Sequence, residues 1–259
     1  MEFLAFRLFG PMASWGDTTL TRRRPTLHAP TKSAIAGLIG AALGLRRSEP
    51  EGFWSEFVAS FGMAVKVDHA AKQPLGDYHT VFTYKQNEEL LCASRHEEIS
   101  LIKKALKERS DAWKNSLILT SRYYLLDFLA TVVIWRKNES FPTFQTVTEK
   151  LTCPRFPLYL GRKSCPVGLP LEPQTVPCNT LSEAFLTSET RFTQFDSIKP
   201  LQDRKESVVY WEDGISVGNP LAGMQVMTRT HNDLPVSRTS WTFSSRLVKY
   251  AAWPKEALP

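Results

Sequence analysis

The first 45 residues constrain the fold of this chain more than any other stretch. Residues 3–9 are large and apolar apart from Arg7, which predicts a strand with one core face and one partly covered face. Gly10 and Pro11 should end that strand. Residues 32–45 predict a helix, since apolar side chains recur there at helical spacing. The glycines of this helix share one side, which predicts close contact with a sheet, because an interior glycine otherwise costs stability.

A basic loop lies between the predicted strand and the predicted helix. It contains Arg22, Arg23 and Arg24, and it leads to the free amides of the helix start, a combination that suits phosphate. Trp15 would add a surface on which a nucleobase stacks. The alternative is structural: the arginines form a solvated turn, and Trp15 packs in the core.

The composition is that of an ordinary soluble protein with a mild excess of positive charge. The 259 residues include 32 Lys and Arg against 26 Asp and Glu, which gives a net charge of +6. This excess favours polyanionic partners where the cations cluster. The 4 cysteines are widely spaced and signal neither a zinc site nor a disulfide framework. We therefore expect no metal, no cofactor and a cytoplasmic location with reduced thiols.

The hydrophobic pattern predicts no membrane partner. The most apolar window, residues 34–45, is far shorter than the ~20 residues that a membrane span needs. The N-terminal apolar run carries charges and is followed by no cleavage site of small residues, which argues against a signal peptide.

The next elements predict an α+β fold. Residues 53–61 carry a helical apolar face, opened by a capping box at residues 48–51, and residues 63–67 alternate as a strand. Strand, helices and strand make the first half of a ferredoxin-like unit. A strand at residues 130–135 and a helix at residues 141–151, opened by a serine, extend this unit.

Two further parts are predicted outside this unit. Strands at residues 76–84 and 117–124 flank a charged excursion, residues 85–115, which has too few apolar side chains to bury itself. This pattern predicts an arm that contacts a partner. Beyond Leu171 the chain is interrupted by prolines and contains short apolar runs, which predicts a smaller β-rich lobe.

A long loop at residues 155–168 is the strongest functional candidate. Its prolines and glycines exclude regular structure over most of its length, and a loop this long in a compact domain is usually functional or disordered. Arg162 and Lys163, which lie between Gly161 and Ser164, would meet a phosphate with charge and a hydroxyl group. The loop therefore predicts a phosphate contact.

Catalysis is the alternative to binding. Metal-independent RNA cleavage needs a group that titrates near neutral pH and a cation that stabilises the developing charge. His79 and His28 are the candidate acid or base, and Lys32 or Lys163 is the candidate cation. A single histidine beside a tyrosine, here Tyr78, is typical of a hydrogen-bonded packing residue, so we favour binding.

Five blocks of the sequence, in order, resemble one protein family. They are residues 10–16, 24–26, 30–33 with 37–41, 77–81 and 159–166. Together they are similar to the type I-E branch of the fifth family of CRISPR-associated (Cas) proteins, and the last block is the most specific. Beyond Leu171 the resemblance is limited to residues 243–246.

The resemblance implies both a fold and a role. It implies an RRM-like (ferredoxin-like) domain over residues 1–170, with an inserted thumb at about residues 76–122, and a smaller β-rich C-terminal lobe over residues 171–259. Family members bind the 5′ handle of the CRISPR RNA (crRNA) in the Cascade complex. They contact its backbone subunit and its large subunit, and they reach target DNA through the complex. The type I-E form leaves cleavage of the precursor RNA to a separate subunit.

The resemblance also implies that individual residues contact the RNA. Those in the thumb region lie at the base of the thumb. The expected RNA contacts are Arg22, Arg24, Lys32, Ser33, Tyr78, His79, Arg122, Tyr159, Gly161, Arg162, Lys163 and Ser164. We expect Arg24, Lys32 and Arg162, which are distant in the sequence, to converge on one short single strand. No residue is assigned a catalytic role, and a metal-independent endoribonuclease that uses His79 or His28 is the alternative.

Overall fold

The computed structural model describes most of the chain. The described residues are 1–17, 19, 22–46, 48–82, 95–108, 117–196, 198–202, 207–217, 224–237, 240 and 242–254. They fall into two compact units. The first unit comprises Met1–Thr18, Thr26–Leu75 and Tyr124–Pro259, and the second comprises Thr19–Pro25 and Gly76–Tyr123.

The described part of the chain forms both strands and helices. In chain order they are β1 (Glu2–Ala13), β2 (Trp15–Gly16), β3 (Arg23–Arg24), β4 (Thr26–Leu27), α1 (Lys32–Leu43), α2 (Phe53–Ala59), β5 (Phe61–His69), β6 (Leu75–Phe82), α3 (Arg95–Lys107), β7 (Leu117–Arg136), α4 (Phe144–Thr152), β8 (Gln174–Pro177), α5 (Leu181–Arg191), α6 (Lys199–Gln202), β9 (Ser207–Trp211), β10 (Met227–Ser237) and β11 (Thr242–Trp253). None of these helices is both long enough and apolar enough to cross a membrane.

One large antiparallel sheet organises the first unit, and helices pack on both of its faces. Its strands lie in the order β10-β11-β9-β5-β7-β1-β8. Successive residues of a strand point to opposite faces. Leu4 and Phe6 of β1 therefore belong to a core that includes residues of α1, α2 and α4, whereas Phe3 and Ala5 belong to a second core with α5. The fold is a mixed α and β fold.

The strand β1 differs from the prediction in its end and in its second face. It continues through Gly10 and Pro11 and pairs with β7 over most of its length. Its second face is covered: Arg7 is 1% exposed, forms an ion pair with Glu172 and has its guanidinium carbon 5.0 Å from the centre of the Phe192 ring. These partners lie far along the chain, where no local pattern could reveal them.

The helix α1 has a side-chain cap at its start and a glycine cap at its end. The hydroxyl of Thr31 accepts the N–H of Ala34 at 3.2 Å. Gly44 ends the helix with a φ of 85°, which glycine adopts without strain. Gly40 does not make the contact with a sheet that was predicted for the glycines of this helix. A Cβ on Gly40 would lie 2.6 Å from the indole of Trp54 in α2, so this glycine allows two helices to approach each other.

Two other helices begin later than predicted. The helix α2 begins after Gly52 and not at the predicted capping box. The helix α4 begins after Thr143, which caps it, and not after Ser140. Both predicted starts precede a proline, Pro50 or Pro142, and a proline disfavours helical geometry in the residue before it.

The last third of the chain continues the main sheet. The strand β9 pairs with β5, and β11 and then β10 extend the sheet beyond β9. The structure therefore differs from the division predicted at residue 171, because β5 provides an edge to which the C-terminal strands add. The prediction also lacks α5, whose start is capped by Thr180 and whose Leu181 and Phe185 are buried against the sheet.

The second unit contains β3, β6, α3 and the first part of β7. The strand β3 pairs in parallel with β7, and β6 also pairs with β7. In place of the strands predicted at 117–124 and 130–135, β7 is one strand of 20 residues. The segment Gly76–Tyr123 has nearly the range predicted for the thumb. Residues 83–94 and 109–116 of the predicted charged excursion lie outside the described residues, and the role of an arm stays a prediction.

Candidate nucleic-acid interface

The 155–168 loop is anchored at both ends by backbone hydrogen bonds. The N–H of Phe156 donates to the carbonyl of Ala41 in α1 at 3.1 Å, and the N–H of Gly168 donates to the carbonyl of Phe9 in β1 at 2.7 Å. The loop thus connects the helix to the central sheet. These bonds explain how a segment with little regular structure keeps a defined path.

The middle of this loop is a tight turn that requires glycine. The N–H of Leu160 donates to the carbonyl of Cys165 at 2.7 Å, and the N–H of Cys165 donates to the carbonyl of Arg162 at 2.9 Å. Gly161 has a φ of 85°, and a Cβ at this position would lie 1.9 Å from the carbonyl oxygen of Ser14. No other residue type fits both the backbone geometry and the space. The turn fixes the backbone of the residues that follow it.

Arg162, Lys163 and Ser164 form the tip of this turn. Lys163 and Ser164 are exposed, and Arg162 is half-buried. The guanidinium carbon of Arg162 lies 5.0 Å from the centre of the Tyr124 ring, a cation–π contact that orients it. Its buried Nη1 has no hydrogen-bond partner among the residues that the structure describes. A buried donor without an acceptor costs free energy.

A groove of about 750 Å³ lies between α1 and the 155–168 loop. Small residues of α1 form one side, aromatic and proline residues of the loop form the other, and cationic side chains take part in the lining. The lining residues are Ser33, Ala34, Gly37, Leu38, Ala41, Leu45, Arg46, Trp54, Phe156, Pro157, Leu158, Tyr159, Gly161, Lys163 and Pro166. The structure therefore brings four of the predicted contacts together at one groove, and Arg162 and Ser164 flank them in sequence.

Lys32 is not available to RNA, in contrast to the prediction. It is 2% exposed, and its Nζ lies 2.8 Å from Oε1 of Glu212. Burial lowers the pKa of Lys32 to about 8, although the carboxylate of Glu212 raises it. The N–H of Lys32 donates to Oδ2 of Asp233 at 2.6 Å. The side chain and the helix start that were expected to bind phosphate therefore bind two carboxylates from the C-terminal third of the chain.

Trp15 belongs to the core and offers no stacking surface to a base. It is 1% exposed, and its ring packs edge-on against Phe128 with 5.3 Å between ring centres. The backbone N–H of Trp15 donates to Oγ1 of Thr26 at 2.9 Å. The structural alternative for this residue is therefore correct.

The second unit carries the other predicted contacts, namely Arg22, Arg24, Tyr78, His79 and Arg122. Arg22 and Arg24 are exposed, and Tyr78 is 75% exposed. Nε2 of His79 lies 2.6 Å from Oδ2 of Asp77. His28, the other catalytic candidate, is exposed and belongs to the first unit. The convergence of Arg24 with Arg162 stays a prediction.

Three residues at this interface are missing from the sequence prediction. Arg46 and Phe156 line the groove, and Tyr124 orients Arg162. Phe156 begins the apolar run of residues 156–160, which was a usable signal, whereas the pairing of Tyr124 with Arg162 depends on the tertiary fold. Within the described ranges, no group of three or more His, Cys, Asp or Glu residues could hold a metal ion.

Comparison with known proteins identifies the family of this chain. Residues 3–249 match the family model described as CRISPR-associated protein (Cas_Cas5). The chain therefore belongs to this family of CRISPR-associated proteins, and the family predicted from the five sequence blocks is confirmed. One relative is the CRISPR system Cascade subunit CasD of Escherichia coli (strain K12). It is 30% identical over 195 residues, which are 73% of this chain and 77% of the relative.

Two solved structures share the fold. A chain of a CRISPR RNA-guided surveillance complex aligns with a TM-score of 0.61 and 23% identity, over 100% of this chain and 93% of its own length. A crystal structure of a Cas protein aligns with a TM-score of 0.55 and 22% identity, over 99% of this chain and 97% of its own length. The mixed α and β fold of this chain is therefore similar to that of both structures.

Proposed function

We propose that this chain is a noncatalytic crRNA-binding subunit of a type I-E Cascade complex, in which it holds the 5′ handle of the guide RNA. The observation that carries the proposal is the turn at Gly161. It presents Lys163 and Ser164 to solvent and holds Arg162, whose guanidinium group lies over the ring of Tyr124. Membership of the family and the similarity to a Cascade subunit support the same role.

The partners follow from this role. The handle is one end of a guide RNA that runs through a cytoplasmic complex, so the chain would contact the backbone subunit and the large subunit and reach target DNA through them. The strand order β5-β7-β1-β8, with helices between β1 and β5 and between β7 and β8, supports an RRM-like (ferredoxin-like) body. We assign the second unit the role of the thumb.

The proposed RNA contacts come from both units. In the first unit they are Ser33, Tyr159, Gly161, Arg162, Lys163 and Ser164, and in the second they are Arg22, Arg24, Tyr78, His79 and Arg122. Lys32 is left out because its ammonium group is buried against Glu212. Phosphate contacts would come from the cations and the hydroxyl groups, and they would position the strand without reading its sequence.

The test is the salt dependence of handle binding. The double variant Arg162→Ala/Lys163→Ala should bind RNA from the chain's own CRISPR repeat more weakly. The plot of log affinity against log salt should flatten by about 0.7 for each lost phosphate contact, because fewer counterions are released from a single strand. Fluorescence anisotropy at several salt concentrations measures both quantities.

The matched control is Lys150→Ala/Arg191→Ala. It removes the same charge from exposed positions on α4 and α5. It should leave the slope nearly unchanged. An equal loss in both double variants would mean that only net charge matters, and an unchanged affinity in the Arg162/Lys163 variant would contradict the proposed site.

A further inference from the structure

The short segment before β8 pairs with β1, and the register of this pairing changes by one residue. The strand β8 lies along the same edge of β1, with Gln174 opposite Ala5. If this ladder continued unbroken, Glu172 would lie opposite Arg7. The N–H of Arg7 donates instead to the carbonyl of Leu171, at 2.7 Å. Glu172 is therefore the extra residue of a β-bulge, a feature that redirects a strand.

The backbone conformation of Glu172 is unfavourable for its residue type. Its φ is 47°, which lies in the left-handed region, and a residue with a Cβ other than asparagine or aspartate rarely adopts it. Pro173 follows, and a proline favours extended backbone in the residue before it. The local sequence therefore does not favour a bulge at this position, and contacts from elsewhere in the fold must hold it.

Arg7 supplies these contacts. Its guanidinium group forms an ion pair with Glu172, and its Nη1 donates to the carbonyl of Thr193 at 3.0 Å. The N–H of Thr193 donates in turn to the carboxylate of Glu172 at 3.3 Å. The rings of Phe192 and Phe195 have their centres 5.0 and 5.3 Å from the guanidinium carbon. Since Arg7 is buried, salt screens this ion pair much less than one at the surface.

The place of the bulge determines where the 155–168 loop returns to the sheet. Near the end of the loop, the N–H of Gly168 donates to the carbonyl of Phe9 in β1 at 2.7 Å. Without the bulge the register would slip by one residue. Because successive residues of a strand alternate in orientation, the N–H of Gly168 would then point away from β1. The loop that carries Arg162 and Lys163 would be displaced along the sheet.

We infer that Arg7 and Glu172 are a positioning pair for the 155–168 loop: they hold the bulge and thereby set the place of Arg162 and Lys163 at the bound RNA. This inference rests on the proposed function and extends it to two residues that do not belong to the loop tip. The pair acts on RNA binding only through the loop.

The test compares two double variants of the full chain that both lack the ion pair. Arg7→Met/Glu172→Ala and Arg7→Met/Glu172→Gly replace the same buried charges, and they differ by one methyl group at residue 172. Alanine disfavours the left-handed backbone, whereas glycine adopts it without strain. The alanine variant should bind RNA from the chain's own CRISPR repeat about tenfold more weakly than wild type. The glycine variant should regain affinity to within about threefold of wild type.

A third variant separates backbone geometry from the flexibility of glycine. Asparagine has a Cβ but tolerates the left-handed region, so Arg7→Met/Glu172→Asn should bind more tightly than the alanine variant. All affinities are measured well below the melting temperatures of the variants. An asparagine variant as weak as the alanine variant, with the glycine variant equally weak, would overturn the inference.

The salt dependence and a mutant cycle distinguish positioning from stability. In the alanine variant, the plot of log affinity against log salt should flatten by about 0.7 for each lost phosphate contact. A smaller folded fraction would lower the affinity without changing this slope, and that result would overturn a positioning role. In the Arg162→Ala/Lys163→Ala background, the alanine variant should cause no further loss, because the pair acts through these residues.

Hydrogen exchange followed by mass spectrometry tests the register without RNA. The amide of Gly168 should be protected in wild type and in the glycine variant, and it should exchange faster in the alanine variant. Equal protection in the two double variants would overturn the inference and leave the proposed function standing. Failure of wild type to bind the RNA would overturn the proposed function and the positioning role together, whatever the protection of Gly168.

Discussion

The buried charges around Lys32 allow a prediction in which two substitutions at one ion pair have opposite effects. Nζ of Lys32 and Nζ of Lys137 each lie 2.8 Å from an oxygen of Glu212, and Nη1 of Arg246 lies 3.5 Å from it. Arg246 also contacts Asp233, through Nε at 2.7 Å and Nη2 at 2.9 Å. Three cations therefore face two carboxylates, and Lys32 is the most deeply buried of the cations.

Removing the charged side chain of Lys32 should stabilise the folded state, and removing the carboxylate of Glu212 should destabilise it. Burial is the larger influence on Lys32 and lowers its pKa from 10.5 to about 8. At about 1.4 kcal/mol per pKa unit, the folded state disfavours the charged lysine by about 3 kcal/mol. Lys32→Met should therefore raise the free energy of unfolding at pH 7 by about 1–3 kcal/mol, since Glu212 keeps two cations. Glu212→Gln should lower it by about 3–5 kcal/mol, because a buried ammonium group loses its partner.

The pH dependence of stability tests independently that burial disfavours the charged form of Lys32 in the folded state. Between about pH 8 and pH 10.5 the unfolded lysine is protonated and the folded one is not, since the pKa of Lys32 is lowered by folding. The unfolded state then binds more protons, so the contribution of Lys32 to stability rises with pH. The advantage of Lys32→Met over wild type should be full below pH 8 and should fade as the pH approaches 10.5.

Urea unfolding followed by far-UV circular dichroism measures these differences. Wild type, Lys32→Met and Glu212→Gln are compared at pH 7 and at pH 9.5. A Lys32→Met variant that is as unstable as Glu212→Gln would refute the reasoning, because Lys32 would then contribute more by attraction than it costs by burial. A stability difference between wild type and Lys32→Met that is the same at both pH values would refute it as well.

Three further predictions concern glycines and catalysis. Gly37→Ala should raise the free energy of unfolding by about 1 kcal/mol, whereas Gly40→Ala should lower it by about 1–3 kcal/mol, since its Cβ would overlap an indole ring; urea unfolding checks the pair. Gly161→Ala should weaken RNA binding at least tenfold in a filter assay, because its turn cannot close. Repeat RNA incubated with the chain and EDTA should stay intact on a gel, and cleavage that is lost in His79→Ala would contradict a noncatalytic role.

Local sequence patterns were sufficient to predict those elements whose structure depends mainly on residues that are neighbours in the chain. The apolar run of β1 and the helical spacing of α1 each predicted an element that the structure contains. The loop tip was also predictable, because Gly161 and its charged neighbours are adjacent in the chain. The capping box of α5, Thr180 with Glu183, was a signal of the same kind that the prediction did not use.

Long-range pairing accounts for what the sequence did not reveal. Lys32 was expected at the RNA, yet its partner Glu212 lies 180 residues away, and no pattern near Lys32 signals a carboxylate. Likewise, nothing in the C-terminal third shows that β9 would pair with β5 and continue the main sheet. The groove is missing from the prediction for the same reason, since α1 and the 155–168 loop meet only in the folded chain.

Photo-cross-linking tests the central claim most directly. Repeat RNA in which 4-thiouridine replaces uridine is bound to the full chain, irradiated and digested, and the cross-linked peptides are identified by mass spectrometry. We expect cross-links in residues 156–163 of the loop and in residues 33–37 of α1, and we expect Arg162→Ala/Lys163→Ala to reduce them. Cross-links confined to other peptides, with these two segments unmodified, would contradict the account.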